Sequence, residues 1–161
     1  MRNLISALIL VSLTMSGVVG GVFFIFSTTI MRSLAARPVE EAAETMNEIN
    51  RVIVRTPFIA LFLGNSLISI LLIGLGLLDS AVPGRWLVVS GASFYLVGGF
   101  LVTIIFNVPR NNALVAADPG DPVAAGLIWQ TYLREWTFWN HIRTIACIAS
   151  TVLLALSLVK R

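Results

Sequence analysis

The chain has 161 residues, about the size of one ordinary domain; 57% are hydrophobic, 12% are charged, and the mean hydropathy is +0.91. A soluble domain is about half apolar and about a quarter charged, so this composition excludes disorder and an ordinary soluble enzyme and leaves a multi-pass membrane protein. The net charge of +3, from 11 basic and 8 acidic residues, is spread without a basic run or stripe, which gives no footprint for nucleic acid.

The first uncharged stretch covers residues 3–31, more than the roughly 20 residues a helix needs to cross hydrocarbon. It is also longer than the apolar core of about 7–15 residues in a signal peptide, so it reads as a retained span. Further uncharged runs follow at 56–78, 86–109 and 144–159. The last is short and becomes long enough if its helix starts near Trp129 or Tyr132. The expectation is a single all-α domain over 1–161, a four-helix transmembrane bundle with spans near 4–30, 56–78, 86–108 and 132–159. Gly17 and Gly21, and Ser16 and Gly20, are spaced four apart and let helix backbones approach closely. The Gly17/Gly21 face is a candidate for homo-oligomer contact, and Gly98 and Gly99 suit close packing of the third span. The lone Cys147, with a single His in the chain, makes neither an intrachain disulfide nor a zinc pattern and reads as a small buried hydrophobe.

The connections differ. Residues 79–85, with Pro83-Gly84, form a tight turn between the second and third spans. The first connection, 38–55, has helical period: Ala42, Met46, Ile49 and Ile53 form one face, and Glu40, Glu44, Asn47, Glu48 and Arg51 the other. Pro38 suits a helix start, Glu48 and Arg51 can pair, and Asn50 lies at the border of the apolar face. An amphipathic helix is expected here, at the interface or extending the second span. The third connection opens with Asn107-Val108-Pro109-Arg110-Asn111-Asn112. Pro109 lacks an amide hydrogen, so the third helix should end or kink there, with Asn107, Asn111 and Asn112 taking up the freed carbonyls. Residues 118–122 read as a plain loop. Both long connections lie on one side of the membrane and gather the polar chemistry there.

The most informative segment is 129–144. At helical period Trp129, Tyr132, Trp136, Trp139, Asn140 and Arg143 share a face, with His141 pointing elsewhere. An aromatic belt at headgroup level accounts for the rings. It does not account for His, Arg and Asn together at the mouth of a span, because ionisable groups there are costly and face a protein interior. A helix-end Arg reaching to headgroups is the competing reading of Arg143. His141, the only His, is the one side chain naturally suited to general base work near neutral pH. One His is too little for a bis-His haem or a redox metal site.

The order Phe24-Ile25-Phe26-Ser27, Met46-Asn47-Glu48-Ile49-Asn50, Phe106 through Leu114 (FNVPRNNAL), and Trp129-x-x-Tyr132-x-x-x-Trp136-x-x-Trp139-Asn140-His141-x-Arg143-Thr144 resembles the anthrone oxygenase-like family of small integral membrane proteins. Many bacterial members are described only as a domain of unknown function, and Asn47 stands where many members have Gln. Fungal members are implicated in oxidising polyketide anthrones to anthraquinones. The resemblance implies an oxygenase or oxidoreductase for a lipophilic aromatic of anthrone or hydroquinone type. Its carbanion reduces dioxygen without metal, flavin or other cofactor. The residues suited to this are His141 as base and Arg143, Asn107 and Asn140 as donors. Asn50, Phe106, Asn111, Tyr132, Trp136 and Trp139 are suited to binding substrate. All are expected around one cleft on the side of the long connections.

A non-catalytic membrane protein that binds a hydrophobic ligand or a partner protein in the same cleft is the alternative. A transporter fits less well, since four helices are few and no internal repeat is visible. Arg2, Arg85, Lys160 and Arg161 fall on one side of the membrane, and Arg32, Arg37, Arg51, Arg55, Arg110, Arg134 and Arg143 on the other. The count leans toward cytoplasmic long connections. The membrane is the plasma (inner) membrane if the source is bacterial.

Overall fold

A computed structural model describes residues 2–80, 82, 84–117 and 120–159. Pro83 of the expected turn, Asp118 and Pro119 of the expected loop, and Lys160 and Arg161 of the charge count lie outside the described residues. Among the described residues five helices run in order: α1 Asn3–Ala35, α2 Val39–Ile53, α3 Pro57–Leu78, α4 Arg85–Val115 and α5 Pro122–Val159. No strand occurs among the described residues. Helices α1, α3, α4 and α5 are long and apolar enough to cross a membrane, so the chain reads as an integral membrane protein.

The four long helices form a square in cross-section. α1 packs on α3 and α5, and α4 packs on the same two, with α3 and α5 at opposite corners. Leu67, Ile70, Val97, Ile105, Ile145 and Ile148 are each half or more exposed on the outside of the square, which suits contact with lipid tails.

The interior is layered. Around the short α3–α4 turn, Ile5, Ile9, Leu72, Val82, Val88, Ala92 and Leu154 pack together. The turn itself is set by Gly84, at φ +60°, where the chain takes the left-handed conformation that a Cβ resists and where Ser157 of α5 passes close by. Midway lie Val19, Phe23, Phe62, Tyr95 and Cys147. At the other end Phe26, Met31, Leu34, Ala42, Met46, Leu114, Trp129, Tyr132 and Trp136 form the third layer.

Small residues permit these contacts. A Cβ on Gly20 would stand 3.0 Å from Cys147 Cβ, and one on Gly98 would collide with Ala146. Ser16 and Gly20 therefore form the face that packs inside. Gly17 and Gly21 lie on the exposed flank, with open space at Gly21.

Helix α2 starts after Pro38, as its sequence implies, and pairs Glu48 with Arg51 on its exposed side. Its apolar face does not rest against lipid. Ala42, Met46 and Ile49 cover the aromatic layer of α5, so α2 caps one end of the bundle.

Two expected boundaries move. α4 does not end at Pro109 but runs on to Val115. The turns before it are π-helical over Phe94–Leu101 and Thr103–Asn107, and Val108 bonds back five residues to the Thr103 carbonyl. That wider winding loosens the ladder where the proline has no hydrogen to give. The Phe106 carbonyl receives Arg110 Nη1 at 2.7 Å, so Arg110 takes the role expected of the asparagines. The fourth span is part of one 38-residue helix that begins ten residues sooner than expected.

Candidate functional site

Between the middle and the capped layer lies a polar cluster built mainly on α5. Asn140 and Arg143, three residues apart, both face inward. Asn140 Nδ2 donates to the Phe23 carbonyl and to Ser27 Oγ of α1, each at 2.7 Å, and Thr144 Oγ1 donates back to the Asn140 carbonyl at 2.8 Å. Arg143 Nη2 donates to Asn140 Oδ1 at 2.6 Å, and Nη1 to Thr103 Oγ1 of α4 at 3.2 Å. The guanidinium carbon lies 4.2 Å from the Phe23 ring centre and 4.9 Å from that of Trp136. Asn107 Nδ2 donates to the Trp136 carbonyl at 3.2 Å.

Arg143 is 4% exposed and, among the described residues, has no carboxylate partner. A cation buried without a counter-ion costs several kcal/mol, which two aromatic faces at roughly 2 kcal/mol each offset only in part. Three polar atoms of the cluster are buried without a partner: Arg143 Nε, Trp136 Nε1 and Asn107 Oδ1. Native interiors leave few such atoms, and those that remain ask for an explanation such as a ligand or water. The cluster thus holds two free donors and one free acceptor beside a fixed positive charge, walled by Phe23 and Trp136.

A second polar group sits one layer outward. Tyr132 OH donates to Asn111 Oδ1 at 2.9 Å, and Asn50 of α2 is its other polar neighbour. Trp129, Tyr132 and Trp136 form a stacked column along α5, with centroids 5.7 and 5.8 Å apart.

Three expected site residues stand apart from this set. His141 is exposed on the outer flank of α5 and has no hydrogen-bond or ionic partner among the described residues. One residue beyond Asn140 means a rotation of roughly 100°, which turns its ring out of the bundle. Trp139 is half-buried and leaves the Trp129–Trp136 column. It stacks on Phe106 at 3.6 Å, and both rings lie to the side of the Arg143 cluster.

Two surface grooves lie on the same side of the molecule as the two long connections. One groove of roughly 1110 Å³ runs between the acidic side of α2, with Glu40, Glu44 and Glu48, and Leu114 and Val115. A smaller one of roughly 260 Å³ is lined by Arg110, Leu127, Ile128, Thr131 and Tyr132. Of the expected cleft residues, Tyr132 alone lines either groove.

Phe23, Thr103 and Asn65 are important polar or cation-facing positions that the sequence reading missed. Asn65 lies at 0% exposure in mid-span, where it accepts from Ser12 Oγ at 2.8 Å and donates to Ser16 Oγ at 2.9 Å. A single Asn in the uncharged run 56–78 was the available signal for it.

With this geometry in place, residues 55–153 match the family model described as anthrone oxygenase. The chain belongs to the anthrone oxygenase family. The match holds α3, α4 and most of α5, and with them Thr103, Asn107, Asn140 and Arg143. α1 and α2, which supply Phe23, Ser27 and Asn50, precede it. No curated protein and no solved structure shows a significant match.

Proposed function

We propose that the protein is a membrane oxidoreductase of the oxygenase type that takes a lipophilic aromatic substrate as its oxyanion, with Arg143 as counter-ion. The observation that carries this reading is the buried guanidinium set over the Phe23 and Trp136 rings with no carboxylate partner among the described residues. Family membership supports an oxygenase-type role. A fixed cation in a water-poor site stabilises a developing oxyanion far more than it would in water.

For an anthrone, loss of a proton from the ring CH₂ gives a delocalised anion whose charge lies largely on the carbonyl oxygen. Arg143 Nε and Trp136 Nε1 are the free donors for that oxygen, and Asn107 Oδ1 is free to accept from a neighbouring phenol. The anion passes an electron to dioxygen. The two radicals join in a C–O bond, the peroxide anion takes back the proton lost in the first step, and the resulting hydroperoxide loses water to leave a second carbonyl. In sum CH₂ and O₂ become C=O and H₂O. His141, turned outward, is not assigned a part in this reading.

The test is oxygen uptake by membranes carrying the protein, supplied with anthrone and with hydroquinones, after subtraction of uptake by empty membranes. Wild type should consume one O₂ per anthraquinone formed. Arg143→Met, at equal membrane abundance, should lose on the order of 10²–10³-fold in kcat, as expected for removal of an oxyanion donor. Arg143→Lys should remain well below wild type, because Lys keeps the charge without the planar fork. Full activity in Arg143→Met would overturn the reading. Anthrone bound by wild type and returned unchanged would favour a non-catalytic ligand-binding protein.

A further inference from the structure

The π-helical stretches of α4 change which residues face α5. An α-helix turns roughly 100° per residue. Counted from the buried Tyr95, uniform α winding would return Val102 and Phe106 to the inward side, each roughly 20° off, and would carry Asn107 roughly 120° away. The buried positions are Tyr95, Gly99 and Val102, at α-helical spacing, and then Asn107 in place of Phe106, with Thr103 half-buried beside Val102. Tyr95 is fully buried, Gly99 packs against Cys147 Sγ, Thr103 meets Arg143, and Asn107 meets the Trp136 carbonyl. The wider turns of Thr103–Asn107 take up fewer degrees per residue, which brings Asn107 to the inner side.

Thr103 is prepared as an acceptor. Its hydroxyl hydrogen goes to the Gly99 carbonyl at 2.7 Å, which leaves the oxygen lone pairs for Arg143 Nη1. Asn140 holds Nη2. With each terminal nitrogen held by one bond, to two different helices, the guanidinium plane is fixed, and Nε is its one nitrogen without a hydrogen bond.

Resting on the reading of Arg143 given above, we infer that Thr103 is a positioning residue for that reaction. It sets the plane of Arg143 so that the free Nε–H points to the reacting oxygen. The charge of Arg143 does not depend on Thr103, so ground-state binding should change little. The cost should appear where the oxyanion is fully formed, in kcat rather than KM.

The experiment is the anthrone oxygen-uptake assay on Thr103→Val, Thr103→Ser, Arg143→Met and the double variant Thr103→Val with Arg143→Met. Val keeps the shape and removes the acceptor, and Ser keeps the acceptor. Thr103→Val should lower kcat by on the order of tenfold to a hundredfold at unchanged KM, as a misplaced reacting group does. Thr103→Ser should restore most of it. Thr103→Val should add nothing in the Arg143→Met background, since the threonine acts through the arginine. If Thr103→Val does not accumulate folded, Thr103→Ala carries the same expectations.

Wild-type kcat in Thr103→Val, with Arg143→Met inactive, would overturn this inference and leave the proposed function standing. A loss that Ser fails to restore would overturn it as well, marking a packing role. Full activity in Arg143→Met would remove both.

Discussion

Arg143 and His141 are two residues apart and have opposite fates. Both are basic side chains near the mouth of the last span, and chemistry alone favours the histidine as the reactive group. In the proposed reading position favours the arginine. Arg143 points into the square of helices, between Phe23 and Trp136, while His141 points out of it. His141→Gln should therefore change the anthrone-dependent kcat by less than about twofold. A general base is worth 10²–10⁴-fold, so a loss of that size would return the histidine to the mechanism. Asn65 belongs to the same scale. It ties Ser12 and Ser16 of α1 to α3, and Ser16 lies 3.2 Å from the Ser150 hydroxyl of α5, so three helices share one short polar chain in mid-membrane.

At the level of elements, close approach of α4 and α5 is what lets Thr103 reach Arg143. The approach depends on Gly98, where any side chain would strike Ala146. Gly98→Leu should force the helices apart and destabilise the protein by about 1–3 kcal/mol, the usual cost of overpacking. Anthrone turnover should fall with it. Gly21, with open space around its Cα, is the control. Gly21→Ala should be neutral or stabilising by up to about 1 kcal/mol, as expected for glycine in a helix interior. Thermal unfolding in detergent compares the two directly. If Gly21→Ala leaves the detergent-solubilised protein folded but reduces its size on a sizing column, the Gly17/Gly21 flank is a contact between copies. Helix α2 illustrates a different point. Its amphipathic period is plain in the sequence, but the apolar face of such a helix suits a lipid surface and a protein surface equally. Only the position of the Trp129–Trp136 column beneath it shows which surface it covers.

For the whole molecule, the square arrangement makes a direct prediction. In a Cys147→Ser background, cysteines at Ser16 and Ser150 should join under mild oxidation, because the two hydroxyls already lie 3.2 Å apart. A peptide cut between α3 and α4 would then stay in one piece on a non-reducing gel. Failure of the pair to join, with both thiols accessible to a small alkylating agent in detergent, would contradict the placement of α1 beside α5.

The number of spans, their approximate places, the amphipathic helix and the buried state of Cys147 all follow from runs and periods along the chain, because membrane insertion reads hydropathy locally and backbone hydrogen bonds must close within each span. Asn107, Asn140 and Arg143 were visible for a similar reason: polar groups in an apolar run are costly enough to stand out. The π-helical winding of α4 leaves no comparable mark, since it is settled by how that helix packs against α5. With it went the exchange of Phe106 for Asn107 on the inner face and the continuation past Pro109. The outward turn of His141 and the aromatic clamp that Phe23 places on Arg143 are decided by the rotation of one helix against its neighbours, a quantity that no single segment contains.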